Sequence, residues 1–387
     1  MKRKLSLSPI FIQSGKVITA LIIAFFSIWI SYEIIKYIHF KYILNFAPLY
    51  ITPSYIPSPV KEEDALTLTW IIHKYVPLHN AGSEWMAHAI NRYLIQDQGY
   101  NIHVITNISP VTEFERITIS MKQNMEKNEH SLTHCSAILT HHTQEPNAVR
   151  TAAYVKRPVV CFMHDNGRSL YLDHYASLPY KKNIYIVNNS KWLEKYYSCY
   201  GFKSIIVHPP VYWQEYQTKT TREYVTLINC NANKGGKVLV ELAKRMPDIQ
   251  FLGVKGAYNK QVIVDGLPNL TYMDQTSYIK KVYGKTDILL MPSKEESWGR
   301  TAIEAMSSGI PVLAHPTPGL LESCGDAGIF CKRDTIEEWI TAIRRLKSDT
   351  EYYNAVSARC LERAKELDPI PQLRELDQWL KELKWED

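Results

Sequence analysis

Two α/β domains in tandem, each a parallel sheet covered by helices on both faces, are the fold this chain predicts, and three observations predict it. The chain has 387 residues, enough for two cores, since domains run roughly 100 to 200 residues each. Short, near-continuous apolar runs alternate with helix-length segments, the signature of parallel strands buried on both faces. The alternation starts twice, once near Leu66 and again near Tyr224, with PPVYWQEYQTKTTREY (209–224) between the two series. With 45% hydrophobic and 22% charged residues and no low-complexity tract, the composition is that of a globular protein.

Residues 1–50 read as a membrane anchor and juxtamembrane segment. VITALIIAFFSIWISY, Val17 to Tyr32, carries no charge over sixteen residues, about 24 Å of helix at about 1.5 Å per residue. A bilayer core is about 30 Å thick, and EIIKYIHFKYILNFAPLY, which mixes rings and lysines with aliphatics at headgroup level, extends the run. No small-residue cleavage site follows it, so the expectation is an uncleaved, single-pass N-terminal anchor at a membrane rather than a signal peptide or a buried helix of a soluble domain. Lys2, Arg3, Lys4 and Lys16 precede the run, and Lys36 and Lys41 follow it. That bias favours the N-terminus inside and the body outside or lumenal; a segment lying only in the interface leaves the body cytosolic. TPSYIPSPVKEEDA, with three prolines, makes 51–65 a linker.

The first domain is expected over 66–215. LTLTWIIHKYV is strand-like, PLHNAG a loop, and SEWMAHAINRYLIQDQG a helix with Trp85, Met86, Ala89, Ile90, Tyr93 and Leu94 at helical spacing, Ser83 as N-cap and Gly99 as its stop. YNIHVIT, SAILTHH, PVVCFMHDN, NIYIVNNS and SIIVHPP follow as strands. The second domain is expected over 216–350, with strands YVTLINCN, IQFLGVKG, LTYMD, DILLMPS and PVLAHP, and helices GKVLVELAKRM and the one holding Glu304. Residues 351–387 are expected as terminal helices crossing back to the first domain; in the last, Leu373, Leu376, Trp379, Leu380 and Leu383 form an apolar stripe that needs a surface to cover.

Composition also excludes some functions. A net charge of +6 spread among 45 basic and 39 acidic residues leaves no nucleic-acid footprint. Seven cysteines with no CxxC argue against a disulfide framework or a zinc-thiolate site and read as buried, reduced thiols. Sequons at Asn107, Asn188 and Asn269 occur about as often as chance allows.

The informative stretch is KEESWGRTAIEAMSSGIPVLAHPTPG, Lys294 to Gly319. It follows an apolar strand, where an open parallel sheet binds its ligands. A helix is expected to begin near Gly299 or Arg300 and to stop at Gly309, with Pro311 past it. The N–H groups of Ser297 to Thr301 then face the cleft with the positive end of the helix dipole, an arrangement that binds phosphate. Glu296 falls on the loop and Glu304 within the helix. Each has a bland reading, a dipole partner or a solvated acid, and a functional one, a carboxylate accepting hydrogen bonds from sugar or ribose hydroxyls.

PSKEESWGRTAIEAMSSGIPVLAHPTPGLLE resembles the signature of the retaining glycosyltransferases of family 4, glycogen-synthase-like and mannosyltransferase-like. Its E-x7-E element falls on Glu296 and Glu304, and Gly-x-x-Glu on Gly319 to Glu322. NANKGGKVLVELAKRMPDIQFLGV is similar to that family's Lys-Gly element, and NAGSEWMAHAINRYLIQDQGYNIHVIT to its glycine loop and first helix. The likeness covers roughly 66–345 and is specific over 224–330. It implies the GT-B fold, two Rossmann-like domains facing a cleft, with an acceptor domain first and a donor domain second. It implies a nucleotide-diphosphate sugar as donor, transferred with retention to a glycan, a glycolipid or a protein-linked glycan. Carried over residue by residue, Lys234 neutralises the diphosphate, and Ser297, Trp298, Gly299, Arg300 and Thr301 hold phosphate and sugar. Glu296 lies beside the transferred sugar, Glu304 binds the ribose, and Gly82 lets the backbone approach the phosphates. His164 matches a histidine near the anomeric carbon, although a lone histidine after a strand is as often a core or surface residue.

One position departs from that pattern. The family carries an arginine five or six residues before the lysine, and here Ile228, Asn229, Cys230, Asn231 and Ala232 fill that stretch. Either Asn229 binds a phosphate through neutral hydrogen bonds, or Arg300 supplies the charge, or donor affinity is low. No D-x-D occurs, which disfavours the metal-clamped type of glycosyltransferase; no metal and no cofactor are expected. Two other readings of the same architecture remain, a nucleotide-sugar epimerase and a catalytically inactive sugar-nucleotide-binding or scaffold protein.

Overall fold

Strand β1 (Thr67–Ile71) forms the middle of the first sheet because its flanks are supplied by later strands with the same apolar pattern. The computed structural model describes residues 66–387 except Asn80, Tyr258 and Asn259, together with Ser27, Ile30, Ser31 and Ile34. The chain divides into residues 1–49 and 50–387, and the elements below belong to the second unit. The expected linker 51–65 and nearly all of the expected anchor lie outside the described residues. Among the described residues no helix is long and apolar enough to cross a membrane.

The first sheet has eight strands in the order β3-β4-β2-β1-β5-β6-β7-β8. They are β1, β2 (Asn101–Thr106), β3 (Glu113–Phe114), β4 (Ile117–Met121), β5 (Ala137–His141), β6 (Val159–Met163), β7 (Ile184–Asn188) and β8 (Lys203–Ile206). All neighbours are parallel except the β3–β4 hairpin at the edge. Every residue of β5, β6 and β7 is buried, as runs such as VVCFM require of strands covered on both faces. Helix α1 (Gly82–Gln98) follows β1. Its N-cap is Ala81, in extended conformation, rather than Ser83, whose hydroxyl instead donates to Glu84 Oε2 at 2.7 Å within the first turn. Gly99, left-handed at φ 73°, closes the helix on Leu94 O as expected of a C-terminal glycine. Five more helices complete this domain's connections: α2 (Met125–Thr133), α3 (Glu145–Val155), α4 (Ser169–Ala176), α5 (Lys191–Tyr197) and α6 (Trp213–Tyr216).

The second sheet is wholly parallel, in the order β11-β10-β9-β12-β13-β14. Its strands are β9 (Tyr224–Ile228), β10 (Phe251–Val254), β11 (Leu270–Met273), β12 (Thr286–Met291), β13 (Val312–Ala314) and β14 (Ile329–Phe330). Helices α7 (Gly236–Arg245), α8 (Lys280–Tyr283), α9 (Arg300–Met306), α10 (Pro318–Cys324) and α11 (Ile336–Ser348) connect and cover them. Fully buried Asp287 accepts from Arg222 Nε and Lys347 Nζ, each at 2.7 Å, so a charge inside the sheet is paired on both oxygens.

Of the terminal helices, α12 (Thr350–Glu366) stays on the second domain, its Cys360 and Ala364 packed in one cluster with Ala302 and Met306 of α9. Only α13 (Ile370–Glu382) crosses back. Leu373, Leu376 and Leu380 join Trp70 and Phe162 in the core of the first sheet, and Tyr100 donates to Asp377 at 2.9 Å. The expected boundary at 351 is thus moved to the break at Asp368–Pro369, because the apolar stripe of α12 matches α9 and not the first sheet. The cysteines are all free; six are buried and Cys199 is exposed.

Candidate active site

The loops at the carboxyl ends of β9 and β12 meet because glycines let them. The loop after β9 folds around Asn231, whose carbonyl accepts from Gly235 N at 3.1 Å and Gly236 N at 3.0 Å, and whose side chain accepts from Lys234 N at 2.9 Å. Gly235 sits at φ 102°, and a Cβ there would lie 2.2 Å from Pro292 Cγ. Only glycine allows this approach. It brings Lys234 onto Glu296, 62 positions away, as an ion pair, with Ser293 Oγ donating to the same carboxylate oxygen at 3.1 Å.

The second acid has its own cation. Glu304 accepts from Arg300 Nε at 2.7 Å and from Tyr283 Oη at 2.9 Å. Arg300 keeps 10% of its side chain exposed; its Nη2 donates to Tyr216 and its Nη1 has no partner. Neighbouring Tyr216 and Glu304 hold its guanidinium charged against burial. The eight-residue spacing therefore builds two cation–carboxylate pairs, Lys234–Glu296 and Arg300–Glu304, on one wall. Asn229, in the stretch where the resembling family has its arginine, is left-handed at φ 70° and accepts from Asn231 Nδ2 at 2.9 Å, turned into its own loop.

Between these pairs the segment Ser297–Gly299 is held from the first domain. Asn189 Nδ2 donates to Ser297 Oγ and Trp192 Nε1 to the Ser297 carbonyl, both at 2.8 Å. The His208 ring stacks on Trp298 with centroids 3.9 Å apart and 13° between planes. Glu322 of α10 accepts from Lys191 N at 2.8 Å, Trp192 N at 3.3 Å and His208 Nε2 at 3.1 Å. Gly319 lies so close to this segment that a Cβ would sit 2.3 Å from the Ser297 carbonyl carbon. Gly299, left-handed at φ 88°, begins α9 with Arg300 and Thr301.

Across the cleft, His141 ends β5, His142 follows it, and His164 follows β6. His141 Nδ1 and His164 Nε2 are 3.1 Å apart, and the rings of His142 and His164 stack at 4.8 Å. All three imidazoles are held neutral: burial and the charges of their histidine and Arg168 neighbours push His141 and His164 well below the usual range, and burial with Arg168 takes His142 to about 4. Arg168 lies 3.6 Å from Glu145, whose carboxyl burial pushes up to about 7. Gly82, first residue of α1, has open space where a Cβ would be. Gly82, His164, Lys234, Glu296, Arg300 and Glu304 all line one cleft of about 730 Å³, as do Ser297, Trp298, Gly299 and Thr301. That volume lies within the range of small-molecule sites. The sequence did not single out His141, His142, Arg168, Asn189, Trp192 or His208; His142, Asn189 and His208 share one signal, a polar residue placed within two positions of the end of an apolar strand.

The family described as "Glycosyl transferases group 1" matches residues 222–363. Sulfoquinovosyl transferase SQD2 of Arabidopsis thaliana is 27% identical over 145 residues, 35% of this chain and 28% of its own length. D-inositol 3-phosphate glycosyltransferase of Mycobacteroides abscessus is 30% identical over 128 residues, 29% of either protein. The chain thus spans less than a third of the length of these two curated relatives. Likeness over a longer span comes from solved structures. Anabaena Alr3699/HepE in complex with UDP and glucose superposes with a TM-score of 0.67 at 14% identity, covering 82% of this chain and all of that one. WaaG, a glycosyltransferase involved in lipopolysaccharide biosynthesis, superposes with a TM-score of 0.60 at 13% identity, covering 81% of this chain and all of that one. At such identities the superpositions establish the fold. Residues 222–363 match the group 1 glycosyltransferase family, and they stand in a two-domain chain that shares the GT-B fold of these solved structures.

Proposed function

We propose that this chain is a retaining glycosyltransferase of the family 4 type, which moves a sugar from a nucleotide-diphosphate donor to a glycan, glycolipid or protein-linked glycan without a metal. The observation that carries the reading is the Lys234–Glu296 pair at the carboxyl ends of β9 and β12, facing a cleft also lined by His164. When a donor enters, its diphosphate takes over the Lys234 ammonium and releases Glu296 toward the sugar. A cation at the leaving diphosphate stabilises charge as the glycosidic bond breaks, an effect worth about 2.7–4 kcal/mol for a single preorganised group. Arg300, with Nη1 unpartnered and lining the same cleft, takes the place of the arginine absent before Lys234. His164, held neutral, accepts or donates one hydrogen bond beside the anomeric carbon. The membrane setting rests on the apolar run 17–32 alone.

A panel of nucleotide-diphosphate sugars incubated with the full-length protein, read by release of nucleotide diphosphate, tests this. Slow hydrolysis of at least one donor, lowered at least 100-fold in Lys234→Ala and in Glu296→Gln, supports the reading. Binding of donors without turnover overturns it in favour of a sugar-nucleotide-binding protein, and appearance of free epimerised sugar nucleotide overturns it in favour of an epimerase.

A further inference from the structure

Three neutral imidazoles converge on the first-domain wall of the cleft, and the donor chemistry proposed above uses one of them. The geometry points to a site for a zinc-class divalent ion held by His141, His142 and His164. Its occupation removes His164 from the reacting centre.

Spacing is the first argument. His141 Nδ1 and His164 Nε2 stand 3.1 Å apart, sharing a proton. A tetrahedral zinc ion bonded to two nitrogens at about 2.0–2.1 Å sets them about 3.3 Å apart, so these two rings already stand at ligand distance. One ring nitrogen of His142 completes a set whose members all lie within 4.8 Å of one another. His142 leaves β5 at φ 54°, left-handed for a residue with a side chain, and its ring lies over His164 instead of pointing to the far face. Its side chain keeps about a third of its surface exposed, 33%, which leaves room for the ångström or so of movement that closes the set.

Charge and ligand type are the second. Arg168 Nη2, 3.4 Å from His142 Nδ1, opposes a cation. It is offset by Asp165, whose Oδ2 lies 3.8 Å from His142 Nδ1, and by the ionised fraction of Glu145, 3.6 Å from Arg168 Nε. A carboxylate beside a ligating histidine is the usual support of such sites. An all-imidazole set selects zinc, cobalt, nickel or copper over magnesium and manganese. His142 and His164 both line the cleft, so a fourth position opens into it.

The test is Co²⁺ added to the full-length protein, followed by visible absorption and displaced by Zn²⁺. The expected result is an intense band of a four-coordinate ion, one per chain, bleached by Zn²⁺. His142→Ala removes a ligand and Asp165→Asn its support; zinc affinity then falls at least tenfold in each, since loss of a supporting partner alone costs about 10–100-fold. Far-UV circular dichroism checks the fold of both, and Asp165→Asn, in which all three rings remain, decides alone if His142→Ala misfolds. Absence of the intense band overturns the proposal, as does a band unchanged by these variants or one that follows His134→Ala, which breaks the stacked His130–His134 pair. The consequence for transfer rests on the proposed function: Zn²⁺ lowers donor turnover of the wild type at least tenfold, a chelator restores it, and turnover that ignores bound Zn²⁺ overturns that part. A band in a protein that turns over no donor upholds the site and counts only against the transferase reading.

Discussion

Replacing Glu322 by alanine removes the carboxylate that joins the two domains beside the segment Ser297–Gly299. Its oxygens take Lys191 N at 2.8 Å and His208 Nε2 at 3.1 Å, with a longer contact to Trp192 N at 3.3 Å. Hydrogen bonds to a charged group are worth about 1.5–3 kcal/mol each. Taking the two shorter ones at the low end gives about 3 kcal/mol of interdomain free energy, or about 100-fold in the ratio of the arrangement seen here to a more open one. The segment held by Asn189, Trp192 and His208 loses its fixed position to the same extent, so kcat/KM for the donor falls by about 10- to 100-fold. Nucleotide-diphosphate release and small-angle scattering check this together. Donor kinetics within twofold of wild type, with an unchanged scattering profile, refute the reasoning. The effect also has a pH signature. Burial pushes the Glu322 carboxyl up, but the hydrogen bonds of His208 and of the Lys191 and Trp192 amides outweigh it and hold the carboxyl below the usual value of 4.5. A folded value below the unfolded one means that the contribution is present above about pH 4.5 and is lost as pH falls through the lowered value. Wild type and variant therefore converge in stability under acid.

Glu145 has the opposite sign: pushed up to about 7 from 4.5, it binds its proton more tightly in the folded chain, so wild-type stability falls by about 3 kcal/mol as pH rises from about 4.5 to 7. Urea unfolding of Glu145→Gln lacks that slope, and a slope equal to wild type contradicts the assignment. Gly235→Ala forces a Cβ to 2.2 Å from Pro292 at φ 102° and lowers stability by about 3 kcal/mol, with donor KM raised through the adjacent Lys234; Gly82→Ala, with open space around it, leaves the melting temperature unchanged. Equal melting temperatures for the two variants contradict the packing argument.

How much of this was legible depended on whether partners were neighbours in sequence. The strands PVVCFM and DILLMPS announced themselves as continuous apolar runs, and Gly309 with Pro311 marked the end of α9. Spacing could also place Glu296 before that helix and Glu304 inside it. It could not show that each acid is already paired, because Lys234 reaches Glu296 from 62 positions away and Tyr283 reaches Glu304 from the end of α8. The hold of Asn189 and Trp192 on Ser297 spans more than a hundred residues and crosses domains. Strand β3 was missed because two residues carry no period to read. Ser83 was a fair N-cap by residue type, but backbone geometry put the cap two residues earlier, at Ala81.

If the proposed function holds, the pairing of Lys234 with Glu296 makes the donor wall its own competitor. Any anion that arrives must evict a carboxylate before it meets the ammonium, so free inorganic phosphate gains little from docking there. A nucleotide-diphosphate sugar brings two phosphates together with a base and a sugar, and those contacts offset the eviction. On the proposed function, Glu296 returns to the lysine when the spent nucleotide leaves, so the carboxylate that screens the entrant also favours its departure.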